Sequence, residues 1–250
     1  TLFPVRPAYL LAEDAPVNTF TKPLVPINEF VGENPPYGAL ISYDLRSAAK
    51  RVTIDVLDAS GRVIRHLDSK DVPKTQGIDR TSWDLAEDAP VKWYGTYKDN
   101  QGPDKGADVM PGTYTVRIAA DGRSAQAQLV VKADPRDPRT AEQARTRYAF
   151  LTQVLGELSG VDGMLNHIDA KLAHAASAQR VRLLAFQAKL TYNPQSVEDL
   201  RGPASLREDL VDLLNRVEGT SFQTPTQPDL QYAAQLKSEY DALEAQSKEI

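Results

Sequence analysis

Hydrophobic and polar positions alternate with one period in the first half of the chain and another in the second. In Arg51-Val52-Thr53-Ile54-Asp55-Val56 every second residue is apolar, the signature of a half-buried strand. Ile41, Tyr43 and Leu45 repeat the pattern earlier; Tyr114, Val116 and Ile118, then Ala125, Ala127, Leu129 and Val131, repeat it later. Turn chemistry separates these runs at Asp58-Ala59-Ser60-Gly61, Pro111-Gly112 and Asp121-Gly122, where glycine permits positive φ. Six or seven short strands over residues 39–133 predict an antiparallel β-sandwich of immunoglobulin-like type.

Beyond residue 134 the period becomes helical. Leu151, Val154/Leu155, Leu158, Val161, Leu165, Ile168 and Leu172 follow three-and-four spacing over about six turns. Two Asp-Pro-Arg triplets at 134–139 precede Thr140-Ala-Glu-Gln143, a capping-box pattern, and a second box, Ser205-Leu-Arg-Glu208, opens a run with Leu206, Leu210, Leu213, Leu214 and Val217 stopped by Gly219. Leu183, Leu184, Phe186 and Leu190 form a further face before Asn193-Pro194, and a last helix after Thr224-Pro225 places Ala233, Leu236, Tyr240 and Leu243 on one stripe. Residues 134–250 therefore predict an antiparallel helical bundle, and the chain as a whole an α+β multidomain fold.

Residues 1–38 fit neither period. They hold Pro4, Pro7, Pro16, Pro23, Pro26, Pro35 and Pro36, which remove ladder donors, yet also Leu2, Phe3, Tyr9, Leu10, Leu11, Phe20, Leu24, Ile27 and Phe30. That is too apolar for a linker, so an irregular, extended strap against another surface is expected.

Charge narrows the partners. The net charge is −5, with 17 acids against 16 bases in residues 1–133 and 17 against 13 in residues 134–250. Neither half carries the basic excess a phosphate backbone requires, so no nucleic-acid partner is expected. No apolar run approaches the roughly 20 residues of a membrane span, and the absence of cysteine excludes disulfides, thiolate metal sites and a cysteine nucleophile. The first residue, Thr1, is not an initiator Met, which predicts that the sequence starts inside a longer translation product.

Candidate chemistry is sparse. His66, His167 and His174 stand in no nucleophile or metal motif; the two helical ones are seven residues apart, whereas a two-histidine zinc site prefers i,i+4 with a further ligand. Asp84, Glu87 and Asp88 follow Trp83 and are the residues from which an acid pair for glycoside hydrolysis could be drawn, but a loop after a strand rarely supplies the buried cleft that a raised pKa needs. The loop 99–108 carries Asp99, Asp104 and Asp108 without an EF-hand pattern. No catalytic, cofactor-binding or metal residue is therefore assigned. Trp93, Tyr94 and Tyr97 are the candidate interaction surface, for a carbohydrate face or another protein.

Two stretches resemble known families. Asp58-Ala-Ser-Gly61-Arg-Val-Ile-Arg65, then Trp83-Asp84, then Val109-Met-Pro111-Gly112-Thr-Tyr114-Thr-Val-Arg117 resemble the immunoglobulin-like domain of the flagellar hook-capping protein. Each element has a physical use there: Gly61 makes the hairpin turn, Trp83 plugs the core, and Pro111-Gly112 leads into an edge strand. The wider order is Leu2-Phe3-Pro4 through Tyr9, Gly32-Glu-Asn34-Pro35-Pro36-Tyr37-Gly38-Ala39, the strands, and Asp134-Pro135-Arg136. It resembles the C-terminal part of exported bacterial β-propeller proteins with Asp-box (BNR) repeats, described as sortilin-like or glycosyl-hydrolase-like. The resemblance implies a bacterial, exported protein and an accessory module that braces its own propeller or binds another chain. Its alternative is the C-terminal fragment of a glycoside hydrolase whose catalytic carboxylates lie in the propeller. No Asp-box repeat occurs within these 250 residues.

Overall fold

A computed structural model describes residues 1–11, 37–193, 202–203, 205–218 and 222–250. The chain is mixed α/β and divides into two compact units, Thr1–Asp88 with Asp108–Arg139, and Ala89–Ala107 with Thr140–Ile250.

Among the described residues the first unit holds seven strands: β1 (Ala8–Leu10), β2 (Ala39–Leu45), β3 (Val52–Leu57), β4 (Val63–Leu67), β5 (Gly77–Trp83), β6 (Gly112–Ala120) and β7 (Arg123–Ala133). One sheet has the order β1-β7-β6-β3-β4, antiparallel except for the β1–β7 pair, and the other consists of β2 and β5, antiparallel. The period-two residues point where the alternation predicts: Ile41 and Tyr43, Val52, Ile54 and Val56, Tyr114, Val116 and Ile118, and Leu129 and Val131 are all buried in one core shared by both sheets. Trp83 lies at its centre, fully buried, its indole N–H donating to the Ala86 carbonyl at 2.8 Å and its ring edge-on to Tyr114 at 5.7 Å. Gly38 is required beside it, because with φ of +100° a Cβ there would fall 1.9 Å from the Trp83 carbonyl oxygen.

Turn chemistry sets the register. Asp121 and Gly122, φ 43° and 84°, form the two-residue loop between β6 and β7, whose twist matches the strands it joins. Asp58 closes the β3–β4 turn by accepting from the Ser60 hydroxyl at 2.6 Å and the Arg62 amide at 3.1 Å, which holds its carboxyl down at about 2.

Two expectations change here. β6 lies between β7 and β3 and is not an edge strand; Pro111 sits just outside it, where its missing donor costs the ladder nothing. The N-terminal stretch also does not stay wholly irregular, since Ala8-Tyr9-Leu10, free of proline, pair in parallel with Val131–Ala133, and Leu2 bridges Tyr43. The strap's other prolines from Pro16 onward, with Phe20, Leu24, Ile27 and Phe30, lie outside the described residues, as do Pro194 and Gly219.

Among the described residues the second unit contains four helices: α1 (Ala141–Leu172), α2 (Ser177–Leu190), α3 (Leu206–Glu218) and α4 (Gln227–Ser247). Thr140 caps α1 by accepting from the Gln143 amide at 3.2 Å while the Gln143 side chain accepts from the Thr140 amide at 2.8 Å. Thr226 and Asp229 build the same reciprocal cap on α4, with proline in its first turn. Ser205 hydrogen-bonds the Glu208 carboxylate at 2.8 Å ahead of α3. The apolar stripe of α1 from Leu151 to Ile168, the α3 residues Leu206 to Val217, and Ala233, Leu236 and Leu243 of α4 share one core. Leu184 does not join Leu183, Phe186 and Leu190 in it and is 44% exposed.

The grouping departs from the contiguous division expected at residue 133. Residues 89–107 leave between β5 and β6 and supply Trp93 and Ala107 to the helical core. Residues 134–139 stay with the strands, each Asp-Pro-Arg triplet folding on itself: Asp134 accepts from the Arg136 amide at 2.8 Å, and Asp137 from the Arg139 amide at 2.9 Å.

Candidate functional site

In the first unit the acids after Trp83 face arginines. Asp84 lies 3.6 Å from Arg65 and accepts from the Ala86 amide at 3.3 Å, Glu87 pairs with Arg62 at 3.0 Å, and Asp88 accepts from the His66 amide at 3.0 Å. His66 contacts Asp55 at 2.6 Å, and Arg117 reaches the same carboxylate at 2.7 Å. Burial pushes Asp55 upward, but the hydrogen bonds from Arg117 and His66 outweigh it and hold the carboxyl below its usual range. These residues form an ionic lattice along β3, β4, β6 and the segment after β5.

The aromatic triplet expected as an interaction surface is split. Tyr94 is 71% exposed and Tyr97 half-buried, but Trp93 is fully buried and cannot serve as a surface platform. Its backbone N–H donates to Asp162 at 3.2 Å and its indole N–H to Asp169 at 2.6 Å. Gly95 makes room for this, since a Cβ there would lie 2.5 Å from the indole nitrogen and 2.7 Å from the Asp169 carboxylate. Nearby, Lys92 pairs with Asp104, and among the described residues no cluster of three or more acids and histidines could hold a metal ion.

Around Trp93 lies the most deeply buried charge among the described residues. The Arg207 side chain, of which nothing is exposed, donates to Asp162 at 2.6 Å and to the Asn100 carbonyl at 2.6 Å, and its guanidinium lies 5.5 Å from the Trp93 ring centre. Asp162 is equally buried. Gln187 of α2 completes the set through Asp169 at 3.1 Å. Helices α1, α2 and α3 thus meet the 89–107 segment through two carboxylates, one side-chain amide, one arginine and one indole. The signal in the sequence is that Asp162 and Asp169 share the three-and-four register of Leu155, Leu158, Leu165 and Leu172, where a charge is costly unless paired.

A second feature of the helical unit is a cavity of about 400 Å³ between α1, α2 and α4. Gly163, Met164, Ile168, Leu183 and Phe186 form its apolar wall, and His167 and Lys248 stand at its rim. The Tyr240 hydroxyl also lines it and donates to Glu244 at 3.0 Å; burial first, then the adjacent carboxylate, push that phenol up to about 12. A Cβ at Gly163 would meet nothing within 4 Å. The volume suits a small apolar molecule, and the phenol held protonated at neutral pH supplies no nucleophile. His174 lies just past the end of α1.

No protein-family model matches the chain, and no curated protein matches it. Among solved structures it is similar to the crystal structure of CopC from Methylosinus trichosporium OB3b, at 13% identity and a TM-score of 0.23, over 38% of this chain and 76% of that one. A likeness of that size carries nothing about fold or ligands. Among the described residues no helix is long and apolar enough to cross a membrane.

Proposed function

We propose that this chain is a non-catalytic accessory module of a larger exported bacterial β-propeller protein, an immunoglobulin-like β-sandwich followed by an antiparallel helical bundle that brace the propeller or bind a partner chain. The observation that carries the non-catalytic part is the placement of Asp84, Glu87 and Asp88. An acid–base pair for glycoside hydrolysis needs one carboxyl held protonated in an apolar cleft. Here Arg65 and Arg62 stand against Asp84 and Glu87, and the His66 amide donates to Asp88, so each acid is engaged in a structural contact. Support for the sandwich comes from the single core that residues of both sheets fill around Trp83. Support for a bracing role comes from the strap residues 1–10, which hydrogen-bond onto β2 and β7 and so give the N-terminal segment a fixed track.

The test is turnover. The purified chain is assayed against polysaccharides and aryl glycosides, and none is hydrolysed; turnover that disappears in Asp84→Asn would overturn the proposal.

A further inference from the structure

Among the described residues, the two-stranded sheet has one covered edge and one open edge. Along β2, the Asp44 amide donates to the Thr1 carbonyl at 2.8 Å and the Phe3 amide to the Ser42 carbonyl at 3.1 Å, so the backbone groups of Ser42 and Asp44 point away from β5. Alternation then directs Ala39, Ile41, Tyr43 and Leu45 toward β5, where their partners are Trp83, Thr81, Asp79 and Gly77. The remaining residues of β5, Ile78, Arg80 and Ser82, therefore aim their N–H and C=O groups outward, and no strand pairs with them among the described residues. Their side chains are exposed as well, and Ile78, at 73%, is the most exposed large hydrophobic residue described. Natural sheets blunt such edges with charged side chains, proline or bulges; β5 carries Asp79 and Arg80 but no proline, no lysine and no register shift.

We propose that the outer edge of β5 accepts an extended strand from a partner protein, with an acidic side chain opposite Arg80. Six outward backbone groups over five residues match the ladder that a short added strand makes. Arg80 selects its charge. Its Nε reaches Ser42 at 3.1 Å, and no carboxylate among the described residues pairs with the guanidinium. A second copy of this chain fits poorly, because the two-fold antiparallel pairing that engages all three outward residues is centred on Arg80 and sets two guanidiniums opposite each other. This inference is independent of attachment to a propeller.

Amide hydrogen exchange on the full chain tests the edge first: the amides of Ile78, Arg80 and Ser82 exchange fast while those of Asp79 and Thr81 are protected. Protection of all five would mean that the edge is already occupied, and would overturn the proposal. A seven-residue synthetic strand of alternating valine and threonine with a central glutamate is then titrated, followed by amide shifts at residues 78–82. It binds about tenfold tighter than the same peptide with a central lysine, Arg80→Glu inverts that order, and N-methylation of the peptide's alternate amides abolishes binding. Equal binding of both peptides, binding that survives N-methylation, or self-association of the chain through residues 78–82 would each refute it.

Discussion

Replacing Arg207 by methionine is the sharpest test of how the helical unit is held together. Methionine keeps most of the aliphatic stem and removes the guanidinium, leaving Asp162 completely buried with the Trp93 amide, at 3.2 Å, as its remaining donor among the described residues. Breaking a buried ion pair from one side costs about 3–5 kcal/mol, because a charge is left without its partner. The Asn100 carbonyl loses its donor as well. Much of this loss is the stranded carboxylate, so the double variant Arg207→Met with Asp162→Asn recovers a large part of it: the amide oxygen still accepts from Trp93 and carries no charge. The loss also depends on pH. Burial already pushes the Asp162 carboxyl above the unfolded value of about 3.9 with Arg207 in place; removing the guanidinium takes away the main opposing influence and pushes it further, with only the Trp93 amide still acting downward. The variant's native state holds that proton to higher pH than the parent's, so the deficit is small near pH 4 and grows once pH passes the parent's own raised value. Urea unfolding followed by far-ultraviolet circular dichroism at pH 4.5 and 8 reads both effects. A single variant within about 0.5 kcal/mol of the parent at pH 8, or a double variant no better than the single, would refute the reasoning.

Trp83→Ala removes the centre of the strand unit's core and costs about 3–5 kcal/mol in the same assay; a smaller loss than about 1 kcal/mol would mean that the core closes over the gap. Glu157 is buried with Oε1 bound to Gln153 and Oε2 without a partner among the described residues, and burial raises its carboxyl. Its contribution is therefore favourable in acid, below the unfolded value of about 4.3, and is lost as pH rises through the folded value. Glu157→Gln matches the parent near pH 4 and exceeds it by about 1–2 kcal/mol at pH 8, and a difference that does not change with pH would contradict this. Two glycines on α1 respond with opposite signs to alanine: Gly163→Ala adds up to about 1 kcal/mol of helix stability, while Gly160→Ala destabilises, because its Cβ would fall 2.2 Å from the Tyr240 hydroxyl oxygen. Thermal melts of the two variants giving the same sign would show that the cavity geometry is wrong.

The elements whose signals are local could be read from sequence. The α1 stripe from Leu151 to Ile168 is buried residue for residue, and the Thr140 cap lies where the Thr-x-x-Gln pattern puts it. The β5 run was less clear because its one aliphatic residue, Ile78, faces solvent while Asp79 and Thr81 face inward, the reverse of ordinary alternation. Trp93 was misread for a different reason. An aromatic in a segment rich in glycine and proline looks like a surface residue, and the carboxylates that bury it are 69 and 76 positions away. Asp162 and Asp169 in an apolar register showed that some cation or donor must arrive, but nothing local identified it as Arg207 or Trp93.

The excursion of residues 89–107 also has a consequence in time. The ribosome delivers the strand unit complete once Arg139 has emerged, apart from a segment that has nothing yet to hold it. Asn100 waits for Arg207, 107 positions later, which at about 5–20 residues per second is roughly 5–20 seconds of synthesis. During that interval the Trp93 indole and the backbone around it lack the α3 side of their pocket and are available to chaperones and proteases. Cleavage at the 89–107 segment in nascent chains, absent from finished protein, would be the trace of that delay.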